Sequence, residues 1–201
     1  MIISFKAGLA YLAAPKTGST AIEAELRPAS HIIFQGNAHS KHLTLREYQA
    51  LVVPLLNHVT APEIETLAVI REPVDWVRSW YSYRQRPAER PEHSTRGLSF
   101  DEFLDGFEAD TQAEVTQHIG DQARFVVNEA GDVGVDHLFR YDEMPALHSF
   151  LGRRFNRQFA FRPLNVSPRV KLEISPAQRE RIERFFPRDV EIYNAVQSRA
   201  V

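Results

Sequence analysis

Apolar positions along the chain fall into runs of two kinds. Residues 8–14 and 66–70 are short and almost unbroken. Their length suits strands buried on both faces, and the first is closed by a turn cluster at residues 15–19. Other stretches recur at helical spacing behind recognisable start signals. Residues 20–26 open a helix directly after the turn. Thr44 with Glu47 forms a capping box that predicts a helix from Leu45 to about Asn57. Pro73 suits the first turn of a helix that carries Val74, Val77, Trp80 and Tyr81 toward a core, with Trp76 beside them. Ser99 with Glu102 starts a short helix ending near Phe107, and Ser175, Pro176 and Gln178 start a last one. Residues 27–43 read as irregular around an apolar island at 32–34. Residues 84–95 read as a surface loop, and Tyr83, Arg84, Gln85 and Arg86, where the helix runs out, either line an acceptor cleft or cover the surface, the surface reading being favoured. Residues 124–127 and 133–139 read as two strands joined by a hairpin turn at Asn128-Glu129-Ala130-Gly131. Strand–loop–helix units dominate. The expected class is α/β, with a mostly parallel central sheet flanked by helices.

Composition narrows this picture. The length, 201 residues, suits a single domain over 1–201 with a sizeable core. A hydrophobic fraction of 43%, a charged fraction of 25% and a net charge of −2 describe an ordinary globular chain, with no global pull toward nucleic acid. There are no cysteines, which removes disulfides, thiolate zinc sites and cysteine nucleophiles together. No run reaches the roughly 18 apolar residues of a membrane span. Lys6 ahead of residues 8–14 could suggest a leader, but the apolar stretch is short and runs straight into a turn with its own chemistry. The expected location is the cytoplasm.

That chemistry lies in Pro15-Lys16-Thr17-Gly18-Ser19-Thr20, between the first strand and the first helix. Unpaired N–H groups at a helix N-terminus favour an anion. Gly18 allows close backbone approach, Lys16 adds a mobile cation, and Thr17, Ser19 and Thr20 add hydroxyls. The pattern differs from G-x-x-x-x-G-K-[ST], because Lys16 precedes the only glycine. The second strand also ends in Arg71, where a nucleoside-triphosphatase would carry a metal-binding Asp. Both departures suit a phosphate neutralised by protein cations. Arg71 leaves the strand at the end where open α/β sheets bind ligands, and Ser79 follows about two turns into the next helix. A guanidinium and a hydroxyl in that arrangement suit a second phosphate.

Taken together and in this order, the two motifs resemble those of sulfotransferases that use 3′-phosphoadenosine 5′-phosphosulfate (PAPS), in the compact bacterial branch related to carbohydrate O-sulfotransferases. Leu138-Phe139-Arg140-Tyr141-Asp142-Glu143 resembles the family's segment of a strand followed by Y-E-D, and Asn165-Val166-Ser167-Pro168-Arg169 resembles its N-x-S segment. The resemblance implies a P-loop-like three-layer fold and transfer of the sulfuryl group to a hydroxyl or amine, with 3′-phosphoadenosine 5′-phosphate (PAP) as the product. It implies that Pro15, Lys16, Thr17, Gly18, Ser19 and Thr20 cradle the 5′-phosphosulfate, with Lys16 also stabilising the leaving oxygen. It implies also that Arg71 and Ser79 take the 3′-phosphate and that no metal is required.

A base must accept the acceptor's proton, and histidine has the right pKa. His42 beside Lys41 is the first choice and His39 the second. Charge at the N-terminus of the following helix is expected to depress the pKa of His42. Two histidines without a third ligand do not make a metal site. The acceptor, a small molecule or carbohydrate, stays open among sugar, lipid headgroup, phenol and peptide tyrosine. A P-loop small-molecule kinase using ATP and a non-catalytic PAP- or PAPS-binding module are the competing readings.

Overall fold

The computed structural model describes residues 1–59, 63–86, 91–108, 113–162, 164 and 172–196. The chain divides into two compact units. The first comprises residues 1–71, 122–165 and 192–201, and the second residues 72–121 and 166–191.

In the first unit, five strands among the described residues form one sheet in the order β3-β1-β2-β4-β5. They are β1 (Ile2–Ser4), β2 (Leu9–Leu12), β3 (Ile32–Ile33), β4 (Glu65–Ile70) and β5 (His137–Arg140). The expectation of a mostly parallel sheet is corrected here. β2, β4 and β5 run parallel, but β1 pairs antiparallel with both β2 and β3. The reason is local. Residues before Gly8 form a strand of their own, and the tight turn from Phe5 to Gly8 folds it back on β2. Gly8 takes a positive φ of 57° in that turn, and its N–H bonds the Phe5 carbonyl. The island at 32–34 supplies β3, so residues 27–43 are less irregular than expected. They also hold the short helix α2 (Ala38–Lys41).

Alternation along the central strands fills a layer on each face. Leu9, Tyr11, Leu67, Val69 and Phe139 face α1 (Ser19–Leu26) and α7 (Met144–Phe155), through Ile22, Leu26, Leu147 and Leu151. Ala10, Leu12, Ala68 and Ile70 face the opposite layer, with Leu45, Tyr48, Val52 and Leu56. That layer starts at the Thr44–Glu47 capping box, and its helix is less regular than the sequence suggests. α3 (Leu45–Glu47) passes through a π turn at Tyr48–Val52 into α4 (Val53–His58). Its outer side exposes Leu51, Leu55 and Val59.

The hairpin expected across residues 124–139 is made at its turn, where the Gly131 N–H bonds the Asn128 carbonyl, but not along its strands. Only one bridge joins Val127 to Val133, and residues 123–125 form a 3-10 turn. The second run instead feeds β5, which pairs with β4. Asp136 sets that pairing by accepting from the N–H and hydroxyl of Thr66, both at 2.7 Å. α7 has no counterpart in the sequence reading.

The second unit contains α5 (Pro73–Arg84), α6 (Phe100–Glu108) and α8 (Pro176–Phe185). Its core packs Trp76, Val77, Tyr81, Phe103 and Leu104 against Ile182 and Phe186. Each expected start signal is made. Glu72 caps α5 ahead of Pro73, Ser99 and Glu102 bond reciprocally, and so do Ser175 and Gln178. Arg84 departs from its expected surface position. It is buried, because its guanidinium caps the carbonyls of Val115 and Gln117, and burial lowers its pKa to about 10. Residues 87–90 of the expected loop, and the 165–169 segment, lie outside the described residues.

Burial separates two leucines of the first unit. Leu67 is 0% exposed and Leu55 is 49% exposed. Leu67→Ala is expected to cost about 2–5 kcal/mol of stability and Leu55→Ala less than about 0.5 kcal/mol. Urea unfolding followed by circular dichroism measures both, and equal losses would contradict the layer assignment.

Candidate functional site

Parallel pairing of β2, β4 and β5 brings their carboxyl ends to one edge of the sheet, the side on which open α/β sheets bind ligands. Three segments leave there: the loop after β2, Arg71 after β4 and Tyr141 after β5.

The loop turns sharply. Ala13 and Ala14 are buried, then Lys16 and Gly18 both take left-handed backbone conformations, with φ of 65° and 74°. For lysine this costs on the order of 1 kcal/mol, so other contacts must hold the turn. One is the Thr17 hydroxyl, fully buried, which donates to the Ala14 carbonyl at 2.8 Å. The Thr17 side chain therefore holds the turn from inside, and its proton is not turned toward a ligand. Gly18 is the N-cap of α1, and no side chain caps that end. A helix start of this kind, its leading N–H groups met by no side-chain cap, favours an anion. Ser19 is buried and Thr20 half-buried behind them.

Arg71 is held at both ends. Its backbone N–H donates to Gln122 Oε1 at 2.9 Å, and Gln122 Nε2 donates back to its carbonyl at 2.8 Å. Its Nη1 donates to the Lys16 carbonyl at 2.9 Å, and its guanidinium lies 4.3 Å from the centre of the Tyr141 ring. Tyr141 also packs against the loop. A Cβ added at Gly18 would come within 3.3 Å of Tyr141 Cε2.

His42 is the C-cap of α2, and its Nδ1 lies 2.5 Å from the Ala13 carbonyl. A carbonyl only accepts, so Nδ1 carries the proton and Nε2 keeps the lone pair in the neutral ring. The pKa of His42 is lowered, in the expected direction but for a different reason. Burial is the main cause. The Ala13 bond works against it, and the Lys41 charge adds to the lowering. His39 is exposed and lies 3.6 Å from Glu47.

Lys41 reaches the same loop. Its Nζ donates to Thr20 Oγ1 at 3.3 Å and pairs with Glu23 at 3.2 Å, and Glu23 also accepts from the Met1 amino group at 2.9 Å. Lys16, Thr17, Gly18, Ser19, Thr20, Arg71 and His42 thus gather in the first unit, with Pro15 leading the turn. Ser79 lies on α5 of the second unit, buried at 9% exposure, and its role stays what the resemblance implies.

Sequence reasoning assigned no role to Lys41, Gln122 or Tyr141. Lys41 had a signal in its place beside His42, and Tyr141 in its place at a strand end. Gln122 had none, because its partner lies 51 residues earlier. Among the described residues no group of three or more His, Asp or Glu side chains is arranged to hold a metal, and no helix is long and apolar enough to cross a membrane. The chain matches no model of a known protein family and no curated protein.

Because the folded pKa of His42 is depressed, the ring stays neutral below the usual 6.5. An NMR titration of the ring is expected to give a midpoint below 6.5, and one at or above it would contradict the burial argument. The unfolded chain takes up this proton first. The stability His42 contributes is therefore present above 6.5 and lost as pH falls through the folded pKa. His42→Gln is expected to flatten that acid-side loss in thermal unfolding.

Proposed function

We propose that the chain is a PAPS-dependent sulfotransferase that moves a sulfuryl group to a hydroxyl or amine of a small-molecule or carbohydrate acceptor. The observation that carries this reading is the convergence on one loop of a left-handed Lys16–Gly18 turn, an uncapped helix start, Arg71 and a neutral histidine. The donor set suits a ligand with several negative charges. Two lysines and an arginine touch or belong to the loop segment, and the nearby carboxylate, Glu23, is already paired with cations.

The donor, when bound, supplies a sulfuryl group on a phosphate leaving group. The bond from sulfur to the bridging phosphate oxygen breaks as the acceptor oxygen or nitrogen bonds to sulfur. His42 takes the acceptor proton at Nε2, which its bond to Ala13 keeps unprotonated. Lys16 stabilises charge at the leaving oxygen, and the leading N–H groups of α1 hold the 5′-phosphate. Arg71 supplies the charge that distinguishes a 3′-phosphate from its absence. An arginine at the end of β4, in place of a metal-binding carboxylate, weighs against the kinase reading.

Calorimetry with PAP, 5′-AMP and Mg·ATP on wild type and Arg71→Ala tests this. Wild type is expected to prefer PAP over 5′-AMP by at least about tenfold, and Arg71→Ala to lose most of that preference, as suits loss of a charged hydrogen bond. Binding of ATP without PAP would sink the proposal and favour the kinase. Transfer of labelled sulfate by wild type but not by His42→Ala separates an enzyme from a binding module, which would hold PAP equally with either residue and turn nothing over.

A further inference from the structure

Arg71 is asked to recognise a phosphate, yet an arginine has a long and mobile side chain. A selective site must hold the guanidinium in place before the ligand arrives. Gln122 does this for the backbone, because its amide pairs with both the N–H and the carbonyl of Arg71, as a neighbouring strand would. The side chain is held by two further contacts: Nη1 on the Lys16 carbonyl and the Tyr141 ring 4.3 Å from the guanidinium carbon. Tyr141 also bears on Gly18. One ring thus touches the cation that follows β4 and the glycine that follows β2. The contact needs the ring face and not the hydroxyl.

We propose that Tyr141 is a positioning residue: it fixes the guanidinium of Arg71 against the phosphate loop, and so sets the preference for a ligand bearing a second phosphate. This deepens the sulfotransferase reading and rests on it for the identity of the ligand. Tyr141 acts through Arg71. Nη1 donates to the Lys16 carbonyl and the ring covers one face, so the guanidinium is fixed at the carboxyl edge of the sheet. The Lys16 bond also steadies the left-handed turn, so the same clamp shapes the cradle for the first phosphate.

The test uses two readouts on wild type, Tyr141→Phe and Tyr141→Leu. The first is the Nε–H resonance of Arg71 in a ¹H–¹⁵N spectrum, assigned by its disappearance in Arg71→Lys. Shielding by the ring is expected to move it upfield in wild type and Tyr141→Phe and to release it in Tyr141→Leu. The second is the ratio of PAP to 5′-AMP affinity. It should stay within about twofold of wild type in Tyr141→Phe and fall about fivefold in Tyr141→Leu, the scale of one cation–π contact. An unshifted Arg71 resonance in wild type overturns the inference, even if Tyr141→Leu does not fold. So does an unchanged affinity ratio in a folded Tyr141→Leu. A shifted resonance in a wild type that shows no preference for PAP leaves the clamp standing and removes the sulfotransferase reading instead.

Discussion

Parallel pairing of β2 with β4 is the constraint from which the rest of the first unit follows. Its register sets Leu12 opposite Ala68, so the chain leaving β2 and the chain leaving β4 emerge side by side. The loop carbonyl of Lys16 then lies within reach of the Arg71 guanidinium. β5 adds to the other side of β4 in the same direction and delivers Tyr141 to the same edge. Alternation along these strands commits one set of side chains to each helical layer, and a slip of one residue would exchange the two sets. The fold and the site are therefore fixed by one register.

The edge so formed gathers cations and N–H donors, and its parts hold one another. Lys41 leans on Thr20 and Glu23, Arg71 on Lys16 and Tyr141, and Thr17 on Ala14. Polar groups that are already oriented need little rearrangement when charge arrives, and that preorganisation separates a selective anion site from a merely basic patch. His42 belongs to the same economy of placement. Ala13, the first residue after β2, supplies the carbonyl that selects its tautomer.

Much of this was legible in the sequence, for identifiable reasons. Capping boxes at Thr44, Ser99 and Ser175 are local and were read correctly. So were the two central strands, whose residues are apolar on both faces, and the turn that carries Lys16 and Gly18. The failures share a cause, which is that distant pairing decides them. Residues 2–4 are too short to announce a strand without the partners they find in β2 and β3. Residues 133–139 look like half of a hairpin until Asp136 meets Thr66 and draws β5 to β4. Arg84 reads as surface until the carbonyls around residue 115 call for a cation. At the site, the turn, Arg71 and His42 announced themselves by residue type, whereas the contacts that hold them come from positions far along the chain.

The mixed sheet has a consequence in time as well as in space. β1 and β2 are neighbours in the chain and close over a four-residue turn, whereas β2 meets β4 by joining Leu9 to Glu65, and β4 meets β5 by joining Leu67 to His137. The entropy of closing long loops must be met before such contacts stabilise anything, so local hairpins form early and long-range parallel pairings late. The β1–β2 hairpin belongs to the early part of assembly, and the converging carboxyl ends belong to the late part. A nascent or partly unfolded chain can thus keep its leading hairpin while Lys16, Arg71 and Tyr141 are still far apart, so their meeting reports complete folding.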